Sequence, residues 1–559
     1  MATIVFEEGP KAPRPSGLRK QLLCHVVDGM AASRPNASYA EYPTDPNCYS
    51  KGYSRITYAA FANAINGLAW WLKDHIGHAE EFETLTYMGP NDFRHNALIL
   101  AACKAGYKML LCSPRNTMAG YKNLFDTLEC KNLLAAQPHP QIVDTLLEAH
   151  PLRLLRVPSI TELLSQKYPH YPYDKYFSKA QDEPLVVLHT SGTTSLPKPI
   201  ILTHNWVATW IAMCQLEPPA GTESLDRLHQ GNRMFVMMPP AHAGNIMPTL
   251  FDAVFNQTTI IYPLPDVTLS PAHIVDCLSH TKADIALIPP WMVHEVGQNQ
   301  ELLDFVGENL ESIFYTGGDV AEPFGDAVSS RVKLFNVNGA TEMASFPALR
   351  PTGNWSSNVW KYIMPHPVAG IDFRCHSWDG GDAKYEAVIV RNADPEFVQP
   401  IFTVYPHLDE YHSGDLFSPH PTIPGLWEYR GRGDDCFVLV TGSNICPLMM
   451  EQKVIVHPEV KGVLMIGQRR PAPALLVETC STKELSPEAQ AEMVDMIWPL
   501  IEEGNLSYYE AARVTKDRVL LTYPDKPMKR AGKGTVQRRA TVDMYMKEIE
   551  ELYTTKKHY

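Results

Sequence analysis

Apolar runs of strand length alternate with segments of helical periodicity along most of the chain, and this alternation predicts an α/β fold. Residues 97–105 carry apolar positions at helical spacing, whereas residues 235–238, 284–288 and 311–315 are short apolar runs that predict strands. Proline pairs, such as Pro239 with Pro240, separate these segments. The sequence contains no internal repeat and no low-complexity block that would indicate another architecture.

The pattern changes near Tyr429, and this change predicts a domain boundary. Shorter apolar runs follow at residues 436–440, 449–454, 463–466 and 475–477, and a long helical segment follows near residues 488–501. We expect a large N-terminal domain of residues 1–433, itself subdivided, because 559 residues are more than one core usually fills. A small, mobile α+β domain of residues 434–559 is expected to follow, joined at Asp434 and Asp435.

Composition narrows the classes of partner. Apolar residues make up 45% and charged residues 20%, which is ordinary for a globular enzyme. A formal charge of -13 argues against a nucleic-acid partner, because such binding depends on neutralising phosphates. The first residues lack the apolar core of a signal peptide, and the most apolar stretch, residues 97–111, is interrupted by Lys104 and Lys108. We therefore expect a cytoplasmic protein without a membrane partner.

Cysteine spacing predicts neither a disulfide framework nor a zinc site. The chain has 11 cysteines, an odd number, and none of them forms a C-x-x-C pair. We expect most of them to be small residues of the core.

A loop rich in hydroxyl side chains follows the apolar run of residues 185–188. It lies within the stretch LHTSGTTSLPKPIILTH, which spans residues 188–204. A strand that is apolar throughout is typical of a parallel sheet, where ligands bind beyond the carboxyl ends of the strands. This composition predicts a phosphate-binding loop, and a polar turn without a ligand is the alternative. The candidate groups are the backbone at Gly192, the ammonium of Lys198 and the hydroxyls of Thr190, Ser191, Thr193, Thr194 and Ser195.

The loop is not a Walker motif. At Gly532 and Lys533 the earlier glycine that the motif requires is Pro527, and the next residue is Gly534 instead of serine or threonine.

Six further motifs follow the hydroxyl loop in the order and spacing of the acyl-adenylate-forming enzymes. They are MPPAHAGN (238–245), FYTGGDVAEP (314–323), NVNGATE (336–342), YHSGDL (411–416), YRGRGDD (429–435) and RAGKGTVQRR (530–539). The chain resembles this superfamily, which includes acyl-CoA synthetases, luciferases and adenylation domains of nonribosomal peptide synthetases, over nearly its whole length. The resemblance implies the large and small domains of that fold.

Residues 87–117, the segment SLPKPI and residues 431–452 resemble the adenylation domains of fungal synthetase-like proteins. They are most similar to carboxylic acid reductases built from adenylation, thiolation and reductase domains. After Lys533 only 26 residues remain (559 minus 533), and they contain no carrier serine motif. We expect the carrier domain to lie beyond this chain or on another protein.

The resemblance implies two half-reactions that use ATP, Mg²⁺ and a phosphopantetheine thiol on a carrier. Glu342 is suited to bind Mg²⁺ beside phosphates, and Thr341 to donate to the α-phosphate. Asp415 is suited to accept from the ribose hydroxyls, Arg432 to contact ribose or phosphate, and Tyr429 to pack near the nucleotide. The alternatives are a helix start, a turn aspartate, a surface arginine and a core tyrosine.

Lys533 is assigned the catalytic role. Attack of a carboxylate on the α-phosphate builds negative charge, which a fixed ammonium stabilises, and the alternative is a solvated surface lysine. Because this loop belongs to the small domain, the resemblance implies closure about the hinge at Asp434 and a later swing for the thiol step. His242 matches the aromatic gate beside the substrate carboxylate, with a core histidine as the alternative.

Two departures from the family pattern are present. Val337 and Asn338 occupy the segment expected to contact the nucleotide base, but the family often has an aromatic residue where this chain has Asn338. One extra residue also lies between Asp434 and Pro447 relative to many family members.

The substrate pocket has Ala243 where amino-acid-activating relatives usually carry an aspartate, so an α-amino acid is disfavoured. The other matched positions are mostly apolar and favour an aryl acid with phenolic hydroxyls. Carried over position by position, the lining is Ala243, Gly244, Met247, Leu287, Tyr315, Gly317, Val337, Ser345 and Phe346, beside His242.

Four alternatives stay open. The acid could be an aryl α-keto acid, or a quaternary ammonium acid held by Tyr315, Phe346 and Trp291, since aromatic faces attract such cations. The chain could also be an acyl-CoA ligase that needs no carrier, or a protein that binds ATP without catalysis.

Overall fold

The larger sheet of the molecule carries a parallel array that ends at one edge in an antiparallel hairpin. This computed structural model describes residues 20–190, 196–265, 267, 270–352, 359–377, 383–393, 399–441 and 444–555. In spatial order the strands are Lys333–Val337, Ser312–Thr316, Ile285–Ile288, Arg233–Val236, Thr259–Ile261, Ser38–Asp45 and Cys48–Thr57. Only the last two pair antiparallel within this sheet.

The second sheet contains the apolar strand that precedes the hydroxyl loop. Its order is Arg153–Arg156, Asn132–Ala135, Thr84–Met88, Lys108–Leu110, Pro184–Thr190 and Lys198–Thr203. Pro184–Thr190 pairs parallel with Lys108–Leu110 and antiparallel with Lys198–Thr203. Residues 185–188 are fully buried, as an apolar strand inside a sheet requires.

The core of the large domain is continuous between these two sheets. The helix Arg94–Lys104 is buried along its whole length, and its apolar residues share one cluster with side chains of both sheets. An all-round buried helix has no amphipathic stripe, so its sequence shows apolar density instead of strong periodicity.

A third sheet is antiparallel throughout and has a core of its own. Its order is Tyr362–Ile363, Trp427–Arg432, Glu410–Pro419, Lys384–Val390 and Ile371–Ser377. In its core the ring of Phe373 contacts the rings of both Phe417 and Trp427. Small ladders join Thr222–Ser224 to Leu349–Pro351 and Gly339–Ala340 to Ala344–Ser345.

The C-terminal part has its own core and its own sheet. Val460–Ile466, Ala474–Thr479 and Val519–Leu521 form the sheet, with antiparallel and then parallel pairing. The helices Leu448–Val454 and Pro487–Asn505 cover one face of it. The α/β class with a large and a small α+β domain is confirmed, and the boundary at Asp434 stays a prediction.

The remaining helices connect and cover these sheets. Among the helices of the described ranges, none has the length and apolar character that a bilayer crossing requires. They are Leu23–Ser33, Tyr58–His75, Met118–Thr127, Ile142–Ala149, Ile160–Ser165, Phe177–Ala180, His204–Cys214, Ala243–Ile246, Ala253–Asn256, Ala272–Leu278, Pro290–Gln298, Gln300–Asn309, Glu322–Ser329, Ile401–Val404, Arg538–Met544 and Met546–Thr555, with a π segment at Met247–Asp252.

One cysteine expectation requires correction. Cys436 and Cys446 form a disulfide, because the antiparallel pairing of Phe437 with Ile445 brings their neighbours face to face across the ladder. Cysteine spacing could not indicate this pair, since nothing in the sequence shows which strands meet. The core expectation fits six of the nine free cysteines, which are buried: Cys24, Cys103, Cys112, Cys130, Cys214 and Cys277.

Candidate active site

A cavity of about 580 Å³ opens where strands of both large sheets end. The strands Arg233–Val236, Ser312–Thr316 and Lys333–Val337 point their carboxyl ends toward it, and so does Pro184–Thr190 of the second sheet. The loop around Lys533 of the C-terminal part closes one side. Strand carboxyl ends are where open α/β sheets bind ligands.

Most of the residues that the sequence assigns to the site line this one cavity. They are Thr190, Lys198, His242, Ala243, Gly244, Met247, Leu287, Gly317, Val337, Thr341, Glu342, Ser345, Phe346, Arg432 and Lys533. Asp415, Tyr429, Asn338 and Tyr315 do not belong to the lining. Ser191, Gly192, Thr193, Thr194 and Ser195 lie outside the described residues, but Thr190 and Lys198 on either side pair with each other at the cavity wall.

Lys533 lies directly over Gly317. A Cβ atom on Gly317 would be only 3.0 Å from Lys533 Cδ, and Gly317 has φ +89°, so a larger residue would crowd the lysine stem and strain the backbone. Burial lowers the pKa of Lys533 to about 8; the Asp415 carboxylate opposes this shift and the Arg432 charge adds to it. The ammonium is therefore mostly charged at neutral pH and lies in the cavity lining.

The loop that carries Lys533 is a tight turn docked on the rim of the large domain. Ala531 N–H donates to Thr535 O (2.8 Å), and Arg115 Nη1 donates to Ala531 O (3.1 Å). Gly534 has φ +88°, and a Cβ there would lie 2.7 Å from Trp291 Cδ1. Close packing against the large domain thus holds the small domain in the closed position.

Asp415 and Arg432 face each other across neighbouring strands of the antiparallel sheet. Arg432 Nη1 lies 3.6 Å from Asp415 Oδ1, and Arg432 Nη2 donates to Ser413 O (3.2 Å). Burial raises the pKa of Asp415 to about 6, even though Arg432 and Lys533 favour the charged form. Arg432 lines the cavity and Asp415 lies just behind it, so the pair forms one polar wall.

Glu342 has one carboxylate oxygen without a partner. Tyr411 Oη donates to Glu342 Oε1 (3.0 Å), whereas Oε2 is buried and accepts no hydrogen bond within the described residues. A hard oxygen left unpaired beside a phosphate-sized space fits Mg²⁺. In the described ranges, this cavity included, no cluster of three metal-ligating side chains is present, so Glu342 would be the single protein ligand.

His242 caps the short helix Ala243–Ile246 from the cavity side. Its Nδ1 accepts a hydrogen bond from Gly244 N–H (3.0 Å), which requires the unprotonated nitrogen. Burial lowers the pKa of His242 to about 3, and the charge of Lys533 acts in the same direction. A neutral imidazole therefore stands at the wall that Lys533 faces.

Tyr315 does not line the pocket as the position-by-position assignment expects. Its ring is fully buried against Trp360 on the other side of the strand, while Phe314 and Thr316 face the cavity. Successive side chains of a strand point to opposite faces, so a neighbour of two lining residues must point away.

Tyr429 and Asn338 also lie outside the lining. The ring of Tyr429 packs edge to face on Phe417 (centroids 5.6 Å apart) within the core of the antiparallel sheet. Asn338 O accepts a hydrogen bond from Phe346 N–H (3.1 Å), and its side-chain Oδ1 is buried without a partner among the described residues. A contact of either residue with the nucleotide remains a prediction.

Sequence reasoning missed His189, which lies in the cavity wall beside Ser113. Ser113 N–H donates to His189 Nε2 (3.0 Å), and burial lowers the pKa of this histidine to about 4. Its position near the end of the strand was the available signal. Asp226, His229 and Asp252 also line the cavity, and no motif marks them.

Comparison with known proteins supplies the family. A family model described as AMP-binding enzyme matches residues 36–381, and one described as AMP-binding enzyme C-terminal domain matches residues 434–557. A carboxylic acid reductase of Neurospora crassa is 30% identical over 96% of this chain and 51% of its own length. An adenylate-forming reductase of Serpula lacrymans is 26% identical over 96% of this chain and 49% of its own length.

These relatives confirm the resemblance to acyl-adenylate-forming enzymes and to fungal synthetase-like reductases. The chain spans about half the length of both relatives. Among solved structures, the anthranilate CoA ligase AuaEII with anthranoyl-AMP has a TM-score of 0.71 at 13% identity, covering 94% of this chain and 97% of that one. ATP-bound MatB from Rhodopseudomonas palustris has a TM-score of 0.67 at 15% identity, covering 94% and 99%. At such low identity the two structures show the shared fold alone.

Proposed function

Because the chain belongs to the AMP-binding enzyme family, we propose that it activates a hydroxylated aryl acid with ATP and passes the acyl group to a phosphopantetheine thiol. ATP-dependent adenylation of a carboxylate is the activity common to the adenylate-forming relatives. The observation that supports the proposal most strongly is the position of Lys533, which packs over Gly317 in the cavity that Thr341 and Glu342 also line.

In the first half-reaction a carboxylate oxygen of the acid attacks the α-phosphorus of ATP. A new P–O bond forms, the bond to the pyrophosphate oxygen breaks, and pyrophosphate leaves with the electron pair. Negative charge builds on the attacking and leaving oxygens, and the Lys533 ammonium stabilises it from a fixed position. Partial burial of Lys533 strengthens this interaction relative to bulk water.

The other polar groups hold the nucleotide in this scheme. The Thr341 hydroxyl donates to the α-phosphate, and the wall formed by Asp415 and Arg432 binds the ribose and phosphate oxygens. The unpaired Glu342 Oε2 holds Mg²⁺, which when bound neutralises phosphate charge. His242, kept neutral, sets the boundary of the space for the acid.

The lining near His242 supports an uncharged, flat substrate body. Ala243, Gly244, Met247, Leu287 and Phe346 offer an apolar surface without a carboxylate for an α-ammonium group. An unpaired ammonium buried there would be costly, so α-amino acids are excluded in this proposal. An aryl α-keto acid or a betaine would use the same catalytic residues.

In the second half-reaction a thiol attacks the acyl carbon, a thioester forms and AMP leaves. We assign the thiol to the phosphopantetheine of a carrier domain, outside this chain or in trans, because the similar reductases are about twice as long. A reductase that consumes the thioester is part of the same proposal. An acyl-CoA ligase would differ by accepting CoA alone.

ATP–pyrophosphate exchange with a panel of acids tests the proposal. The panel contains benzoic, salicylic and orsellinic acids, aryl α-keto acids, betaines and the proteinogenic amino acids. We expect the hydroxylated benzoic acids to give the fastest exchange, and the Lys533→Ala variant to give none above background. A faster rate with an amino acid or a betaine would remove the aryl assignment, and exchange with no acid would favour ATP binding without catalysis.

A further inference from the structure

The end of the cavity remote from Lys533 is acidic, which the adenylation chemistry does not require. The lining there includes Cys214, Asp226, His229, Asp252 and Phe314. Asp252 lies nine residues after Ala243 (252 minus 243) on one continuous helical segment. The α-helical Ala243–Ile246 and the π-helical Met247–Asp252 thus lead along the cavity lining from His242 to Asp252 at the other end of the segment.

Asp226 presents a carboxylate at this end with little to neutralise it. Ala348 N–H donates to Asp226 Oδ2 (3.0 Å), and no lysine or arginine pairs with this carboxylate in the part of the chain that the structure describes. Burial raises the pKa of Asp226 to about 6, against the opposing charge of His229 and the bond from Ala348. At pH 7 and above it is mostly a carboxylate anion.

His229 pairs with Asp252 instead of Asp226. The Nδ1 atom of His229 lies 2.9 Å from Asp252 Oδ2. Burial by itself lowers the pKa of His229, but the charge of Asp252, its hydrogen bond and the charge of Asp226 outweigh it, and the net shift is upward. One imidazole is therefore paired with Asp252 and lies near Asp226, and two carboxylates against one imidazole leave this end of the cavity negatively charged.

Of the two hydroxyl side chains in the lining expected from the sequence, Ser345 and Tyr315, neither adds a charge at this end of the cavity. Ser345 Oγ accepts a hydrogen bond from Trp210 Nε1 (3.2 Å), which takes one of its two lone pairs, and Tyr315 lies on the far side of its strand. A buried anion without a cation is stabilised by a ligand that donates a hydrogen bond to it.

We infer that Asp226 is a specificity residue that accepts a hydrogen bond from a donor group, hydroxyl or ammonium, on the end of the acid remote from its carboxylate. This inference rests on the proposed function and names the substrate feature that the cavity selects. Acids that lack the donor leave the Asp226 charge unpaired and are expected to react poorly.

Matched acids test the donor requirement. Exchange is measured with 4-hydroxybenzoic, 4-(aminomethyl)benzoic, 4-methoxybenzoic and benzoic acids, for the wild-type chain and for Asp226→Asn. The amide oxygen still accepts from Ala348 N–H, so the local fold keeps its bond. We expect kcat/KM to fall at least about tenfold for the two donor acids and to stay nearly unchanged for the other two, as for loss of a charged hydrogen bond.

Glu223→Gln is the matched control, because it removes a carboxylate from the neighbouring strand Thr222–Ser224 without touching the cavity lining. This control is expected to leave the ratios of kcat/KM among the four acids unchanged. A fall confined to the aminomethyl acid would identify ammonium as the donor, and a fall confined to the hydroxy acid would identify hydroxyl.

Two results would overturn the inference in different ways. An equal change for all four acids in Asp226→Asn would remove the donor role and leave the proposed function standing. No exchange with any of the four acids by the wild-type chain, while a non-aryl acid is exchanged, would remove both.

The wild-type chain gives a second measurement that needs no variant. The groups that face Asp226 are His229, Asp252 and Cys214. Protonation of Asp226 as the pH falls through about 6 removes the acceptor charge. The kcat/KM ratio of 4-hydroxybenzoic to 4-methoxybenzoic acid should therefore shrink below that pH, and a constant ratio would contradict the inference.

Discussion

Lys533 is the residue whose loss should separate chemistry from binding. We predict that Lys533→Ala lowers single-turnover adenylate formation at least about 100-fold, as expected when a charge aimed at the transition state is removed. ATP affinity, measured by calorimetry, should change little. Lys529→Ala is the matched control, since Lys529 is exposed and outside the cavity lining. Near-normal adenylate formation by Lys533→Ala would remove the catalytic assignment.

The same lysine predicts a pH dependence. Its pKa is lowered to about 8, so the charged form is complete well below this pH and is lost as the pH rises through it. We expect kcat/KM for ATP to fall above about pH 8, because this parameter reports free-enzyme pKa values. Lys533→Arg stays charged, so its residual activity should not show this fall. A flat wild-type profile up to about pH 9.5 would contradict the prediction.

Asp415 should matter for nucleotide binding more than for the chemical step. We predict that Asp415→Ala weakens ATP binding about tenfold or more, because a charged hydrogen-bond acceptor is lost behind Arg432. Isothermal calorimetry measures this directly. Asp372→Ala, on an exposed position of the same antiparallel sheet, is the control. Normal ATP affinity in the Asp415 variant would remove the ribose role.

Individual site residues could be predicted where a motif fixes their position in the chain. The face of the sheet to which each side chain points could not be predicted in this way. The motifs place Gly317 and Thr341 at the cavity, and both line it. Tyr315 fails because a shift of one residue along a strand exchanges the two faces of the sheet. The acidic end was beyond prediction, since Cys214, Asp226 and Asp252 meet only through tertiary packing.

At the scale of elements, whether a segment forms a helix or a strand was easier to predict than its first and last residues or its partner in a sheet. The run at residues 235–238 is a strand, but it spans Arg233–Val236, and the helix expected at 97–105 spans Arg94–Lys104. Helices and strands can begin or end with polar residues, which apolar periodicity does not mark, so the predicted limits are off by a few residues. The pairing of Ala40 with Ile260 depends on long-range packing that no local pattern contains.

The docked loop of the small domain gives a prediction at this scale. Gly534→Ala should lower adenylate formation at least about tenfold, because the new Cβ would clash with Trp291 and the residue has a left-handed backbone. Gly52→Ala is the control, since Gly52 has φ +67° but an open space around it. It carries a similar backbone cost without the contact. Equal activity of the two variants would show that docking at Trp291 is unimportant.

At the scale of the whole molecule, the change of pattern near Tyr429 predicts two domains, whereas closure of the small domain was expected only from the family resemblance. Domain orientation is set by contacts such as Arg115 with Ala531, which join segments far apart in the sequence. Such contacts have no periodic signature. The hinge at Asp434 and a second orientation for the thiol step therefore stay predictions, and closure can be tested directly.

A cross-link should trap the closed arrangement. A Cβ on Gly532 would lie 3.8 Å from Ser113 Cβ, a separation that matches the usual distance of about 3.8 Å in disulfides. We predict that the double variant Ser113→Cys with Gly532→Cys, oxidised after adenylate has formed, retains the adenylate and yields no thioester, because the small domain cannot swing away. A phosphine reductant, which carries no thiol, should restore transfer to the acceptor that the wild-type chain uses. Each single variant serves as control for the native cysteines, and thioester formation by the oxidised double variant would show that transfer needs no swing.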